Sequence, residues 1–124
     1  MAQMSPPIFD PGPKLKGEKR VFQKLRQTSD QFRVLHSLNI AKHKNQIEGE
    51  ADFVVLAPTY GIFIIEVKGG RLKFQNGQWI SMKGTDKIVY PKSPHDQAKG
   101  NMYSIQESIH KKFPEMKDVL MAWG

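Results

Sequence analysis

Residues 50–69 read Glu50-Ala-Asp52-Phe-Val-Val-Leu56-Ala-Pro58-Thr-Tyr-Gly61-Ile-Phe-Ile-Ile-Glu66-Val-Lys68-Gly69. Two runs rich in β-branched and aromatic residues, 51–56 and 62–68, flank the turn-forming stretch 57–61. That arrangement predicts an antiparallel hairpin. Both runs are almost continuously apolar, as strands covered on both faces are. Three charged residues interrupt them: Asp52, Glu66 and Lys68. Because an unpaired charge within a covered strand is costly, something must compensate each of them.

The register brings the three together. If the five-residue connection closes on a Leu56–Ile62 pair, antiparallel counting sets Val54 opposite Ile64 and Asp52 opposite Glu66. Opposed residues have Cβ atoms about 4.5–5.5 Å apart, and Lys68, two residues on, points to the same side. Two carboxylates at that distance repel unless a cation lies between them. With a lysine beside them they suit a hard, oxygen-seeking divalent ion, Mg²⁺ above all. A loop closing one residue differently would spoil the alignment. Acids at strand ends could also pair with Lys68 or with other cations.

Working back towards the N-terminus, Val21, Phe22 and Leu25 recur at helical spacing, which predicts a helix from Lys16 to about Thr28. Glu18 lies three, four and seven residues before them and so shares their inward face. As an acid in the first turn it could equally serve the helix dipole. Lys14, Lys16, Lys19, Arg20, Lys24 and Arg26 cluster along and before this helix, either as phosphate contacts or as a solvated face. The proline-rich segment 5–13 cannot be helical and reads as an extended arm. The chain therefore divides into an arm, 1–15, and a domain, 16–124. Residues 32–40 alternate well enough for a strand, and 42–49 read as a polar loop or ragged strand end.

Beyond the hairpin, Gly69-Gly70 reads as a bulge or turn ending the second strand. It lacks both the spacing and the following helix of a phosphate loop. Residues 71–74 and 78–81 surround Asn76-Gly77, a strong hairpin signal. Phe74 and Trp79 could stack on a base, although at alternating strand positions such residues commonly pack on the sheet. Ser93, Pro94 and Asp96 form a helix start, with an N-cap, a proline at the first position and an acid at the third. Ala98, Met102, Ile105 and Ile109 mark the buried face of that helix, which stops near Phe113 ahead of Pro114. Residues 118–124 read as the opening of another buried strand, so the natural protein is expected to continue beyond Gly124. The order of elements predicts an α/β domain with a mixed central sheet and an antiparallel hairpin meander, flanked by helices.

Composition narrows the function classes. The 124 residues make one domain. With no cysteine, disulfides, thiolate zinc sites and cysteine nucleophiles are excluded. The four histidines, His36, His43, His95 and His110, lack ligand spacing. No signal peptide opens the chain, and no apolar run approaches the roughly 20 residues of a membrane span. A cytoplasmic protein without membrane contact is expected. The formal charge of +7 favours polyanionic partners, since neutralising phosphates releases their counterions.

Together, Glu50-Ala-Asp52-Phe-Val-Val-Leu56 and Gly61-Ile-Phe-Ile-Ile-Glu66-Val-Lys68-Gly69 resemble the nuclease-related domain, NERD, of the PD-(D/E)XK nuclease superfamily. The early Gly17-Glu18 helix and the later helix with Asp96-Gln97-Ala98 are similar to that family's flanking motifs, so the likeness spans about Gly17 to Trp123. One departure is Ala51, which stands where the superfamily has a proline before the aspartate. The resemblance implies a restriction-endonuclease-like core with Asp52 and Glu66 as ligands of Mg²⁺ (or Mn²⁺). Lys68 would position or activate the attacking water, with Glu18 and Gln97 as accessory groups. It implies a metal-dependent nuclease acting on nucleic acid, DNA ahead of RNA, within a larger DNA-processing protein. Lys14, Lys16, Lys19 and Arg20 would contact the strand. The alternative is a catalytically silent nucleic-acid-binding or adaptor module with the same fold.

Overall fold

A computed structural model describes residues 1–9, 16–40 and 49–124. Its frame is a five-stranded mixed sheet in the order β1-β2-β3-β4-β8. The strands are β1 (Gln3–Ser5), β2 (Arg33–Ile40), β3 (Gly49–Ala57), β4 (Gly61–Ile65) and β8 (Met121–Trp123). β2, β3 and β4 run antiparallel, whereas the edge strands β1 and β8 pair parallel with β2 and β4.

The central hairpin pairs Leu56 with Ile62 and Val54 with Ile64, the register the sequence predicts. Pairing continues one step further, to Ala57–Gly61, so the connection itself is Pro58-Thr59-Tyr60. Thr59 takes φ 70° and Gly61 φ 134°. A Cβ at Gly61 would stand 2.5 Å from the Leu120 carbonyl oxygen. That carbonyl accepts the Ile62 amide at 2.9 Å, so Gly61 lets β8 close against β4.

The two faces of the sheet are covered by different helices. α1 (Lys16–Arg26) packs Phe22, Val21 and Leu25 against Val34, Phe53 and Val55. It ends where the Thr28 hydroxyl donates to the Leu25 carbonyl at 2.6 Å, satisfying one of the carbonyls a helix end leaves open. α2 (Pro94–Lys112) lays Met102, Ile105 and Ile109 on Val54, Ile62 and Ile64. Its start is the one the sequence predicts, with Ser93 Oγ accepting the Asp96 amide at 2.9 Å. A short 3₁₀ turn, Pro114–Met116, leads on to β8.

β5 (Arg71–Gln75), β6 (Gln78–Lys83) and β7 (Asp86–Tyr90) form a separate three-stranded antiparallel meander. Asn76 and Gly77 both take positive φ, 53° and 72°, the geometry of the tight hairpin turn. Ser81 is fully buried, and its hydroxyl donates to the Gly69 carbonyl at 2.8 Å. This bond ties the meander to the chain leaving β4.

Three differences from the sequence reading stand out. The opening segment is extended, yet Gln3–Ser5 adds a strand to the sheet, and Ala2 and Met4 are buried in the α1-side core. β4 ends at Ile65, short of the run to Lys68, for a reason given below. β8 lies at the edge of the sheet and is only half-buried. Of the stretch read as a polar loop, Gly49 begins β3, while 42–48 lie outside the described residues.

Candidate active site

Asp52 occupies the ladder position after the last paired residues, Phe53 and Ile65. In that register Glu66 is its opposite number. The pairing stops here because Asp52 intervenes. Its Oδ2 accepts the Val67 backbone amide at 2.9 Å, while the Glu66 amide, on the other edge of the strand, carries the β4–β8 pairing one step further by donating to the Gly124 carbonyl, also at 2.9 Å. On the β3 side a side-chain acceptor has replaced a backbone one, so the chain parts from β3 at Val67 while Glu66 is still held to β8.

Lys68 Nζ lies 3.1 Å from Glu66 Oε1, as both an ion pair and a hydrogen bond. The Glu66 side chain is 4% exposed and that of Lys68 16%. Such shielding makes the pair interact more strongly than exposed charges would. The Lys68 ammonium also stands over the Tyr90 ring, 5.0 Å from its centroid, in a cation–π contact. From α2, Asn101 Nδ2 approaches Glu66 Oε2 at 3.5 Å, so Glu66 is addressed from two sides.

The charges do not balance. Asp52 and Glu66 would bring two negative charges and Lys68 returns one positive. The Glu66 carboxyl is pushed up from 4.5 to about 7. Burial is the largest cause and the charge of Asp52 the next, while the hydrogen bond and charge of Lys68 pull the other way. Near neutrality the site therefore either holds a proton on Glu66 or takes a further cation. Its oxygen donors fit a hard divalent ion, and the surplus negative charge is what such an ion would neutralise.

Asp52, Glu66 and Lys68 thus come together at the end of the hairpin. Among the described residues, no three His, Asp or Glu side chains converge as a metal cluster. Glu18 is half-buried in the first turn of α1. That turn reaches the site's own chain, since a Cβ at Gly17 would lie 3.6 Å from Gly69 Cα and from Val67 Cγ1. Gln97 is half-buried one helical turn before Asn101 on α2, and it is Asn101 that meets Glu66. Asn101 was not singled out from the sequence. Its signal is the spacing of four from Gln97, a polar residue within the apolar stripe of Ala98 and Met102. Lys16, Lys19 and Arg20 are exposed on α1, and Lys14 lies outside the described residues.

A family model described as the nuclease-related domain, NERD, matches residues 13–121. No curated protein and no solved structure matches the chain. Among the described residues, no helix is long and apolar enough to cross a membrane.

Proposed function

This chain belongs to the nuclease-related domain family, and from that premise we propose that it hydrolyses phosphodiester bonds in nucleic acid, DNA ahead of RNA, with a divalent metal ion. The observation that carries the reading is the convergence of Asp52, Glu66 and Lys68, with Lys68 3.1 Å from Glu66 inside a shielded site.

Asp52 and Glu66 are the residues that would hold Mg²⁺ or Mn²⁺. The bound ion would polarise a phosphate oxygen and lower the pKa of its water. Asp52 is oriented by the Val67 amide, which holds one of its carboxylate oxygens. Lys68 places its positive charge where the phosphate gains negative charge as water attacks, and a preoriented charge in a shielded site is worth more than one in water. Asn101 steadies the far oxygen of Glu66. The exposed Lys16, Lys19 and Arg20 supply a rim for neighbouring phosphates.

One observation favours a second reading. Both Glu66 oxygens already have protein partners, Lys68 and Asn101. A silent binding module could be held in that closed state.

The test incubates labelled single- and double-stranded DNA with Mg²⁺ and either the wild type or Lys68→Ala. Metal-dependent cleavage that falls in the variant supports catalysis. Equal cleavage by both would remove Lys68 from the mechanism, and binding without cleavage by the wild type would establish the silent module.

A further inference from the structure

Phe74, Trp79 and Tyr90 come from three different strands of the meander. In the ladder Phe74 is opposite Trp79, and Trp79 is opposite Tyr90. Directly opposed residues share a face, so the three rings form one row across it. The Phe74 and Trp79 centroids are 5.3 Å apart. Phe74 is nevertheless 63% exposed, so its ring spends little of its apolar area on the fold. The row borders a cavity of about 680 Å³ that Gln78, Lys92 and Asp96 also line. Its inner end is Tyr90, the ring beneath the Lys68 ammonium. With strands about 4.8 Å apart, the row extends roughly 10 Å outward from the candidate active site.

We propose that this row is a stacking platform for unpaired bases, so that the domain selects single-stranded or frayed nucleic acid and leads its backbone to Lys68. The inference rests on the nuclease reading for what happens to the bound strand. The row offers aromatic faces, tilted by 52° between Phe74 and Trp79, that any base can stack on, whereas bases inside a duplex already have both faces covered by their neighbours. Gln78 and Asp96 offer hydrogen-bonding groups to a base edge, and Lys92 offers charge to a phosphate. The net charge of +7 draws in the polyanion. Continuity with the Lys68 site distinguishes this face from an isolated apolar patch, since a strand seated on it arrives at the acids without a gap.

Binding is measured by fluorescence anisotropy in metal-free buffer, so cleavage plays no part. The probes are a labelled oligothymidine, the same strand with abasic positions, and a blunt duplex. Phe74→Ala removes one stacking face and is expected to weaken oligothymidine binding about tenfold. The abasic strand and the duplex should be unaffected. Trp79→Phe, which keeps a ring, should retain most of the affinity.

Equal oligothymidine affinity in wild type and Phe74→Ala overturns the proposal, as does an equal loss for all three probes or no binding of any. So does a shift from dimer to monomer in sedimentation on Phe74→Ala with strand affinity unchanged, which would assign the face to a second copy of the chain. A protein that binds the strand through Phe74 but never cleaves it with Mg²⁺ upholds the platform and sinks the nuclease reading. Single-strand cleavage indifferent to Phe74 does the reverse.

Discussion

Hairpins β3–β4 and β5–β6 arise from the same local signal, two β-prone runs around a turn, and end in opposite surroundings. In the first, Phe53, Val54 and Ile64 are buried between α1 and α2. In the second, every residue of β5 is exposed. The first fixes a register, since slipping by one residue would send its whole apolar set to the wrong face. That rigidity is what holds Asp52 across from the Glu66 position. The second is anchored through the buried Ile80 and Ser81 of β6. Structure is concentrated in one hairpin, and apolar surface is left open in the other.

Truncation within each hairpin is the sharpest way to break this comparison. Ile64→Ala removes a fully buried side chain and is expected to cost about 2–5 kcal/mol. Phe74→Ala, on the exposed face, should cost under about 1 kcal/mol. Urea unfolding of both variants measures the difference. Similar costs would show that the meander belongs to the core after all.

Loss of the Lys68 charge comes next. Removing one preoriented group that stabilises developing charge costs about 10²–10³-fold in rate, so Lys68→Ala should lose that much single-turnover cleavage. Its stability should change less than that of Ile64→Ala, because the ammonium lies where the chain has already left the ladder. Circular dichroism and cleavage on the same preparation separate the two effects.

Glu66 gives the first hairpin a pH dependence. Its folded carboxyl titrates near 7 against 4.5 when unperturbed, so the folded chain holds this proton more tightly than the unfolded chain does. Stability from this group is intact below about pH 4.5 and is lost as pH rises towards 7. The loss can reach about 3 kcal/mol at most. Urea midpoints at pH 5 and pH 8 should differ in that direction for the wild type and much less for Glu66→Gln. Mg²⁺ added at pH 8 should recover stability in the wild type by mass action. A wild-type profile as flat as that of Glu66→Gln would remove the buried charge imbalance from the account.

The same contrast explains what could be read without coordinates. The register that pairs Leu56 with Ile62 and the turn at Asn76-Gly77 follow from short-range chemistry, as does the Ser93 cap with the α2 stripe, and each is where the sequence puts it, although the first hairpin closes one pair later, at Ala57–Gly61. The features that escaped depend on distant partners. β4 stops at Ile65 because Asp52, fifteen residues before Val67, takes the Val67 amide. β1 lies before two prolines and pairs with residues about thirty positions away. β7 follows a two-residue turn, Gly84-Thr85, but its alternation is masked by Lys87 and by Ile88 and Val89 in succession. Asn101 is polar within an apolar stripe, and only the folded chain brings Glu66 to it.

The smallest effect concerns the joint between the two hairpins. The buried Ser81 hydroxyl donates to the Gly69 carbonyl, immediately after Lys68. Ser81→Ala leaves that acceptor without this partner, at a cost of about 1–3 kcal/mol if no water replaces the hydroxyl. The loss should be uneven. Amides of β5, β6 and β7 should exchange with solvent faster, while those of β3 and β4, held by packing from both helices, should keep their protection. Lys68 should also lose its purchase on Tyr90, because Gly69 is the link that keeps the meander beside it. Cleavage should therefore fall modestly with the core intact. Hydrogen exchange that accelerated equally in both hairpins would mean that they unfold as one unit, and the division between a rigid scaffold and an appended platform would fail.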